Sequence, residues 1–468
     1  GGFVWDWQDK SLPLPQSDGH VGFAHGGDFG ERFIESREPV YMTNNGLVRA
    51  DLSWIPVAWV VREAYAPILI DRPLALKDNV WLALRDACGF VAVNRTLCES
   101  SLDYRLEVSA VDGRGETLRR CPVDLPALEP GESAALELSD ALSGLEDAAP
   151  FYLTFRVFRR RDGEEVASRQ FRCRDAVKPL PRPKAGPLPE LTRVGRTLRF
   201  RAGGTEAVFS CDTGMLLSLS RGDISRIIAS KLCWDRPYTG LDAQKGWGIR
   251  DHLDAVRSMS MAHAPAEVFQ SADCWMVTSA FAGEFAAGRI SWTLYGGGVI
   301  DCALDVKAGD GAILPRFGVE FELPQEMERV SYLGLGPMEN YADRVLSPAF
   351  GRYACQMDEL GFDYAPPSEN GGHGGTEELC LCDAAGHMLL ARAGKAFHFD
   401  ARRCTVEDLQ RALHTAEVPR RDRVYLHLDA WHMPIGGDMA WSTTLDAASL
   451  PQGGIHTLRV RLSAENRA

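Results

Sequence analysis

The sequence predicts a mainly β chain that begins with one α/β unit, continues as an antiparallel sandwich and ends in a large all-β region. Short runs of alternating apolar and polar residues recur about every ten residues after residue 67, as strands separated by turns do. A proline-rich stretch divides these runs into two groups. The length of 468 residues exceeds what one hydrophobic core commonly organises, so we expect about three domains.

The first part, residues 1–66, differs from the rest. An apolar segment at 2–5, a Gly-rich loop and an apolar stretch at 54–66 indicate a strand, a loop and a helix. A strand followed by a helix is the unit of a parallel α/β sheet or barrel, and one such unit cannot bury its own faces. We therefore expect further chain before Gly1, which is also not an initiator Met.

The second part, residues 67–177, has the alternation of an antiparallel β-sandwich. The glycines of Asp112-Gly113 and Asp162-Gly163 can supply the positive φ that hairpin turns need. The predicted strands are 80–84, 104–111, 134–138 and 151–158.

The stretch 178–190 is the predicted linker. It contains five prolines, and Pro fixes φ and donates no backbone hydrogen bond, so we expect a stiff, extended segment. Residues 191–468 then show strand-like alternation with few helical patches, which indicates a large antiparallel β domain. Clear examples are 198–200, 275–280, 289–294 and 424–428.

Composition excludes several classes of function. The net charge of −13, without a local basic run, argues against nucleic acid and anionic membranes as partners. No apolar run approaches the ~20 residues that span a bilayer. Residues 1–7 do not show the basic-then-apolar pattern of a secretion signal. Twelve cysteines without a CxxC motif favour a reducing compartment, so we expect a cytoplasmic protein.

Six short motifs follow one another along the chain: GGFVWDW (1–7), GGDFG (26–30), NGLV (45–48), LGLGPMENYADR (333–344), PSENG (367–371) and IGGDMAWS (435–442). In order and spacing they resemble the C-terminal portion of the large, lactose-type bacterial β-galactosidases of glycoside hydrolase family 2. The resemblance implies the end of a TIM barrel at 1–66, an immunoglobulin-like sandwich at 67–177 and a β super-sandwich at 191–468. It also implies a homotetramer.

The resemblance implies a retaining hydrolase of terminal β-D-galactosides such as lactose. Such an enzyme needs two carboxyls about 5–5.5 Å apart. In the family these two glutamates and the Mg²⁺ ligands lie on barrel strands before the position of Gly1, so we expect no catalytic residue here and no activity of this chain alone. The carboxylates within the matched motifs do not correspond to that pair: Asp6, Asp28, Glu339, Asp343, Glu369 and Asp438. For Glu339, Asp343 and Glu369 we expect structural roles in ion pairs or turns.

Two tryptophans are candidates for binding the sugar. An aromatic ring at the C-terminal end of a barrel strand suits the C–H face of a sugar, and by resemblance Trp5 lies in the galactose pocket. Trp441 follows two glycines, and the matching residue of the family caps the barrel mouth. The alternatives are a barrel-core Trp5 and a Trp441 that fills the core of its own domain.

One loop is the candidate cation site. By resemblance the amide oxygen of Asn45 and the backbone carbonyl of Met42 help to hold Na⁺, to which oxygen ligands are suited. The family usually has an aromatic residue where Met42 stands, and a backbone ligand survives that change. The alternative is an Asn45 that caps a turn. We expect His432 to be a structural histidine, since no second His accompanies it at metal-site spacing.

Two segments depart from the family pattern. Residues 234–248 occupy the place of an acidic gating loop but carry Asp-Arg-Pro-Tyr-Thr-Gly at 235–240, and the helix near Pro56 is unusually apolar.

Two other classes of function remain open. A non-catalytic carbohydrate-binding or assembly subunit of a two-chain glycosidase is disfavoured by the partial barrel, because a natural subunit boundary should fall between domains. A surface adhesin would need a secretion signal.

Overall fold

The computed structural model describes most of the chain, and strands dominate it, so the predicted mainly β architecture is confirmed. Among the described residues no helix is long and apolar enough to cross a membrane. The described residues are 3–15, 21–26, 28–30, 44–72, 89–145, 151–174, 179–183, 186–240, 242, 249–436 and 454–467.

The N-terminal segment forms a hairpin of β1 (Leu12–Pro15) and β2 (Val21–Ala24), followed by helix α1 (Pro56–Ala64). The helix lies within the predicted stretch 54–66 and starts at a proline, whose fixed φ suits a first turn. The strand predicted at 2–5 is wrong for the described residues 3–5, because a strand needs a paired neighbour and this part of the chain makes one parallel bridge, Gln8 to Val48. The TIM-barrel assignment stays a prediction.

The middle part contains two antiparallel sheets around one core. Its helix is α2 (Ser139–Leu142), and Leu106, Val108 and Phe155 are among the residues buried between the sheets. The predicted strand at 80–84 lies outside the described residues. The three-stranded sheet consists of β3 (Ile68–Asp71), β4 (Val91–Asn94) and β7 (Ser133–Ala135), and the four-stranded sheet of β5 (Tyr104–Asp112), β6 (Thr117–Val123), β8 (Phe151–Arg159) and β9 (Glu165–Arg174).

The two predicted hairpin turns behave differently. Gly163 has φ +75°, as predicted. In the other turn the positive φ falls on Gly115 (+78°) rather than on Gly113, because the Asp112 carboxylate accepts hydrogen bonds from the backbone N–H groups of Arg114 and Glu116 and closes a longer loop.

The linker region has no regular secondary structure at residues 179–183 and 186–189. Beyond it, a five-stranded antiparallel sheet is built in sequence order. Its strands are β10 (Glu190–Val194), β11 (Thr197–Ala202), β12 (Thr205–Ser210), β13 (Leu216–Arg221) and β14 (Ile224–Ile227).

A thirteen-stranded antiparallel sheet completes the terminal region, with helices α3 (Arg250–Arg257), α4 (Met357–Leu360) and α5 (Val406–Arg411) at its margins. Its strands are β15 (Ala229–Cys233), β16 (Ala262–His263), β17 (Glu267–Gln270), β18 (Cys274–Ala282), β19 (Ala286–Tyr295), β20 (Val299–Ala308), β21 (Arg316–Pro324), β22 (Arg329–Gly336), β23 (Ala349–Gln356), β24 (His373–Cys382), β25 (His387–Arg402), β26 (Arg423–His432) and β27 (Ile455–Asn466).

The two sheets of the terminal region share one hydrophobic core. Trp292 is completely buried, with its ring 5.7 Å from that of Phe209 and 6.4 Å from that of Phe321. A separate small cluster joins this region to the sandwich, where Tyr152 stacks on Phe350 at 4.3 Å. The sandwich and the terminal region therefore have their own cores and a limited apolar contact between them. The predicted domain boundaries stay predictions.

Candidate functional site

The structure places Trp5 and Asn45 side by side. The backbone N–H of Asp6 donates to the carbonyl oxygen of Asn45 at 2.9 Å, and that of Leu47 donates to the carbonyl of Asp6 at 3.1 Å. The Trp5 ring is 80% exposed and lies 5.2 Å from the ammonium group of Lys10. Both side chains are exposed within the described chain, and the two interpretations of Trp5, as a sugar-binding ring or as a barrel-core residue, both stay open.

Two residues close to Asn45 contact the terminal region. The side-chain amide of Asn44 donates to the carbonyl of Ala365 at 2.7 Å. The Arg49 guanidinium lies over the ring of Phe362, 4.3 Å from its centroid, and donates to the carbonyl of Asp363. Two segments that are more than 300 residues apart therefore meet at residues 362–365.

Met42, Asp438 and Trp441 lie outside the described residues. The chain before Trp441 is described up to Gly436, however, and the Asp343 carboxylate accepts from the N–H of Ile435 at 3.3 Å and of Gly436 at 2.8 Å. The structure thus gives Asp343 a structural role at this point of the chain.

The divergent segment 234–248 supports the same stretch of chain. Arg236 is completely buried and donates to the carbonyls of Met433 and Pro434, each at 2.9 Å. It also pairs with Asp242 at 2.9 Å. Where the family pattern has a gating loop, the described part of this segment therefore anchors the backbone before Trp441.

Glu339 lies near the backbone that Arg236 holds, and it forms a buried ion pair. Its carboxylate accepts from Arg344 at 2.9 Å, from the Tyr364 hydroxyl at 2.5 Å and from the N–H of Gly371 at 2.7 Å. Burial raises the pKa of Glu339 and Arg344 opposes the rise. These contacts are those of a structural group that joins the loops around residues 339, 364 and 371.

A buried ionic network occupies the centre of the terminal region. Arg316 is completely buried and donates to both oxygens of Asp429, at 3.1 and 2.8 Å, and to Asp400. His427 lies between two carboxylates, with Nδ1 2.9 Å from Asp400 and Nε2 3.1 Å from Glu320. Cations and anions alternate, which is how buried charges are tolerated.

The network extends towards the PSENG motif. Glu369 accepts from the Tyr341 hydroxyl at 3.0 Å and lies 3.5 Å from Arg402, which in turn donates to Asp400 at 3.0 Å. Burial raises the pKa of Glu369, but Arg402 and His432 outweigh it and hold that pKa at about 2. Glu369 therefore remains ionised inside the protein, as a member of the network.

His432 has a second histidine beside it in space, although none accompanies it at metal-site spacing in the sequence. The ring of His398 stacks on it at 4.3 Å, and His398 Nδ1 lies 2.9 Å from Asp429. His432 itself donates through Nδ1 to the carbonyl of Met433 at 2.8 Å if it carries its proton there. Burial and His398 lower the pKa of His432 to about 4. Sequence spacing missed the pair because β25 and β26 bring it together.

A family model described as beta galactosidase small chain matches residues 201–460, which is more than half of this chain. The chain belongs to the beta galactosidase small chain family.

Two curated relatives are named β-galactosidase. The protein of Vibrio cholerae is 27% identical over 470 residues, which cover 95% of this chain and 43% of the relative. That of Aeromonas hydrophila is 29% identical over 479 residues, with the same two shares of 95% and 43%. The chain thus spans less than half of each relative. The resemblance to large β-galactosidases is confirmed, and the coverage is consistent with their C-terminal portion.

The solved galactose 1-epimerase of Lactobacillus acidophilus NCFM aligns with 60% of this chain and 99% of its own length. The identity is 8% and the TM-score 0.35, values at which the alignment bears on neither function nor site.

This member of the small chain family also has a cleft of about 460 Å³ beside the docked Arg49. Phe362 and Tyr364 lie on one wall, and Arg403 and Arg420 on another. Both arginines pair with Asp358, at 3.5 and 2.7 Å. Arg403 and Arg420 therefore have a carboxylate partner within the cleft.

Proposed function

We propose that this chain is the C-terminal portion of a retaining β-galactosidase that hydrolyses terminal β-D-galactosides such as lactose. Membership of the beta galactosidase small chain family carries the proposal. In it, Trp5, Asn45 and Trp441 bind the sugar, and the acid/base and nucleophile glutamates come from a barrel that this sequence does not include. The chain alone is then inactive.

Three observations support the assignment of the sugar site. Trp5 offers an exposed indole face, Asn45 offers an exposed amide, and the two are joined through the backbone of Asp6. Aromatic faces pack against the apolar side of a sugar, while a few polar groups fix its orientation. The backbone before Trp441 is anchored by Asp343 and Arg236, which suits a loop that must hold a large ring in place.

Four of the described carboxylates of the matched motifs fit a chain without catalytic residues. Glu339 and Glu369 are buried in ion pairs, and Asp343 accepts from two backbone N–H groups. Asp28 lies against His414 at 2.9 Å. A retaining pair must instead flank an open substrate cleft.

The proposal also covers the bound cations, the oligomeric state and the cellular location of the complete enzyme. Asn45 contributes its side-chain oxygen and Met42 its carbonyl to a Na⁺ ion beside the sugar. Asn45 is exposed, and an amide oxygen is a ligand type that suits such a cation. Mg²⁺ ligands come from the missing barrel. The complete enzyme is a cytoplasmic homotetramer in this proposal.

A second candidate is a non-catalytic small subunit of a two-chain glycosidase, completed by a separate barrel subunit. The family description itself favours it, since it names a small chain. The two candidates differ in one respect: the small subunit must associate with a barrel chain in trans, whereas the first requires covalent continuity.

The first experiment is hydrolysis of a chromogenic β-galactoside by the purified chain, with the complete Vibrio cholerae β-galactosidase as positive control. We expect no turnover. Turnover above the level of a mock purification would place a catalytic pair within this chain and contradict the proposal.

The second experiment replaces the matching part of the Vibrio cholerae enzyme by this chain. We expect galactoside turnover by the chimera, and a loss of about 100-fold in kcat/KM for Trp5→Ala, since a misplaced substrate can cost that much. Trp54→Ala is the matched control, because Trp54 is a partly exposed indole that packs on Trp59 at 4.8 Å. Equal activity of both variants would remove Trp5 from the site.

A further inference from the structure

Three side chains capable of binding a metal meet where the N-terminal segment contacts the terminal region. His414 Nε2 lies 2.9 Å from the carboxylate of Asp28, and His25 Nδ1 lies 4.0 Å from it. One ligand atom from each of the three residues falls within 4.8 Å of the others. The two imidazole rings are stacked at 4.5 Å, although they are almost 390 residues apart in sequence.

The hydrogen bonds on the opposite side of each ring orient the two histidines. His25 Nε2 lies 2.9 Å from the carbonyl of Leu413, so in the neutral ring this nitrogen carries the proton. His414 Nδ1 lies 3.0 Å from the carboxylate of Glu417, which likewise favours a proton on that nitrogen. The lone pairs of His25 Nδ1 and His414 Nε2 are then both directed towards Asp28.

With neutral rings in these tautomers the three side chains present acceptor atoms to one another, and the backbone N–H of His25 donates to the Asp28 carboxylate at 2.6 Å. The carbonyl of Gly26 adds a further oxygen, 3.3 Å from His25 Nδ1. A second proton on an imidazole or a bound cation would stabilise this arrangement. Burial lowers the pKa of His414, but its hydrogen bonds to Asp28 and Glu417 outweigh this effect and raise it, so a proton is the competing occupant.

The surroundings match those of metal-binding histidines. Such histidines donate their second ring N–H to a carboxylate or a backbone carbonyl, the roles that Glu417 and Leu413 have here. Zinc binds imidazole nitrogen and carboxylate oxygen at about 2.0–2.2 Å, so its ligand atoms lie roughly 3.3 Å apart in a tetrahedron. The separations of His414 and His25 from Asp28, 2.9 and 4.0 Å, lie on either side of that spacing.

Two other clusters of possible metal ligands in the described chain already contain a carboxylate that is paired with a Lys or Arg. Cys233, Glu320 and His427 form one, in which Lys231 already pairs with Glu320 at 3.1 Å. His398, Asp429 and His432 form the other, where Arg316 already neutralises Asp429. A divalent cation in either would face a fixed positive charge, whereas no described Lys or Arg pairs with Asp28.

We propose that His25, Asp28 and His414 bind one zinc ion, with the Gly26 carbonyl or a water as fourth ligand. The ion joins the segment that carries Trp5 and Asn45 to the terminal region. Its role is structural, because three protein ligands on two distant segments hold those segments together when the metal is bound. This site is independent of the galactosidase proposal.

The test is calorimetric titration of the chelator-treated chain with Zn²⁺, together with the visible absorption of the Co²⁺ form. We expect one high-affinity ion per chain and a tetrahedral Co²⁺ spectrum. His414→Ala and Asp28→Asn remove ligands and should abolish the high-affinity binding. Glu417→Gln leaves the ligands intact and should weaken binding by about tenfold, as loss of an orienting carboxylate does.

His387→Ala is the matched control, because His387 forms a comparable surface pair with Asp383 at 2.6 Å on a different part of the domain. It should bind Zn²⁺ as the unsubstituted chain does. Absence of saturable binding would overturn the proposal in favour of a protonated His414, and so would equal affinity of the His414→Ala chain. The His414 side chain is 20% exposed, so we expect this variant to fold, and circular dichroism checks it.

Discussion

At the scale of residues, the ionic network of the terminal region depends on complete pairing. Arg316 neutralises Asp429 and Asp400, and His427 lies between Asp400 and Glu320. Burial lowers the pKa of His427, but Asp400 outweighs it and raises that pKa well above the ordinary value. Each charge is acceptable because its partners are fixed in place, so removing one should cost far more than removing a surface charge.

Arg316→Met tests this dependence. The substitution leaves two buried carboxylates without their shared cation, and we expect the free energy of unfolding to fall by about 3–5 kcal/mol. Arg352→Met is the control, since Arg352 is half exposed and pairs with Glu378 at 2.9 Å. It should cost less than about 1 kcal/mol. Urea unfolding measures both, and equal costs would contradict the expectation.

Stability should also fall in mild acid because of two buried histidines. Burial lowers the pKa of His373 to about 4, and burial with His398 lowers that of His432 to about 4. Both remain neutral when folded, whereas in the unfolded chain they take up protons below about 6.5. The contribution of these two neutral histidines to the free energy of unfolding is complete above that pH. It is lost as pH falls from 6.5 towards 4.

The measurement is the urea midpoint at several pH values between 7 and 4. His373→Gln should give a flatter pH dependence than the unsubstituted chain, because one proton fewer is taken up on unfolding. The surface variant His387→Gln serves as control. An unchanged slope in His373→Gln would show that His373 titrates normally in the folded protein.

At the scale of elements, strand register assembles the network. In the pairing of β25 with β26, His398 lies opposite Asp429 and Asp400 lies opposite His427. On the other side of β26, Gly318 of β21 pairs with Asp429 next to a bulge. A Cβ at Gly318 would lie 2.3 Å from the carbonyl of Leu428 and 2.5 Å from Asp429 Oδ1, so only glycine leaves room for this carboxylate.

The turn between β5 and β6 docks the sandwich on β23. Gly115 has φ +78°, and a Cβ there would lie 2.6 Å from the backbone nitrogen of Arg352. We expect Gly115→Ala to destabilise the protein by about 1–2 kcal/mol through the positive φ and by a further ~1–3 kcal/mol through the clash.

Gly163→Ala separates these two effects. Gly163 has a similar φ of +75° but nothing within 4 Å of an added Cβ, so the strain alone should appear. The rate of proteolysis in the linker at 179–189 measures the docking and should rise in Gly115→Ala only. A similar rise in both variants would mean that the turn does not hold the sandwich in place.

At the scale of the whole molecule, a small apolar contact joins two separate cores. The terminal core draws on both of its sheets, whereas the sandwich core is smaller. Tyr152, Phe350 and Gln170 lie at the contact, where Gln170 accepts from the N–H of Phe350 at 2.6 Å. Separate cores with a limited interface favour separate cooperative units.

We therefore expect two transitions in a calorimetric scan, with the sandwich melting first because a smaller core is less stable. Hydrogen exchange identifies the units: amides of β8 should lose protection before those of β20. One cooperative transition, with equal exchange in both strands, would mean that the interface couples the two cores completely.

Local patterns predicted much of the fold. Alternation predicted the strands that became β5, β8, β18, β19 and β26, and Gly163 predicted a turn. Helix α1 lies within its predicted stretch, and the motifs predicted the family. These features depend on residues close in sequence, where side-chain period and allowed φ act directly.

Other features required the tertiary structure. The missing strand at 3–5, the contact between His25 and His414 and the stacking of His398 on His432 each depend on which distant segment lies alongside. Within the site, motifs indicated Trp5 and Asn45, but only the folded chain placed them together through Asp6 and brought the neighbouring Asn44 against residues 362–365. The sequence by itself determined strands such as β5 and β8, the turn at Gly163 and the family. Strand register and long-range packing decided which charges and rings meet, because pairing depends on the whole sheet rather than on any local run of residues.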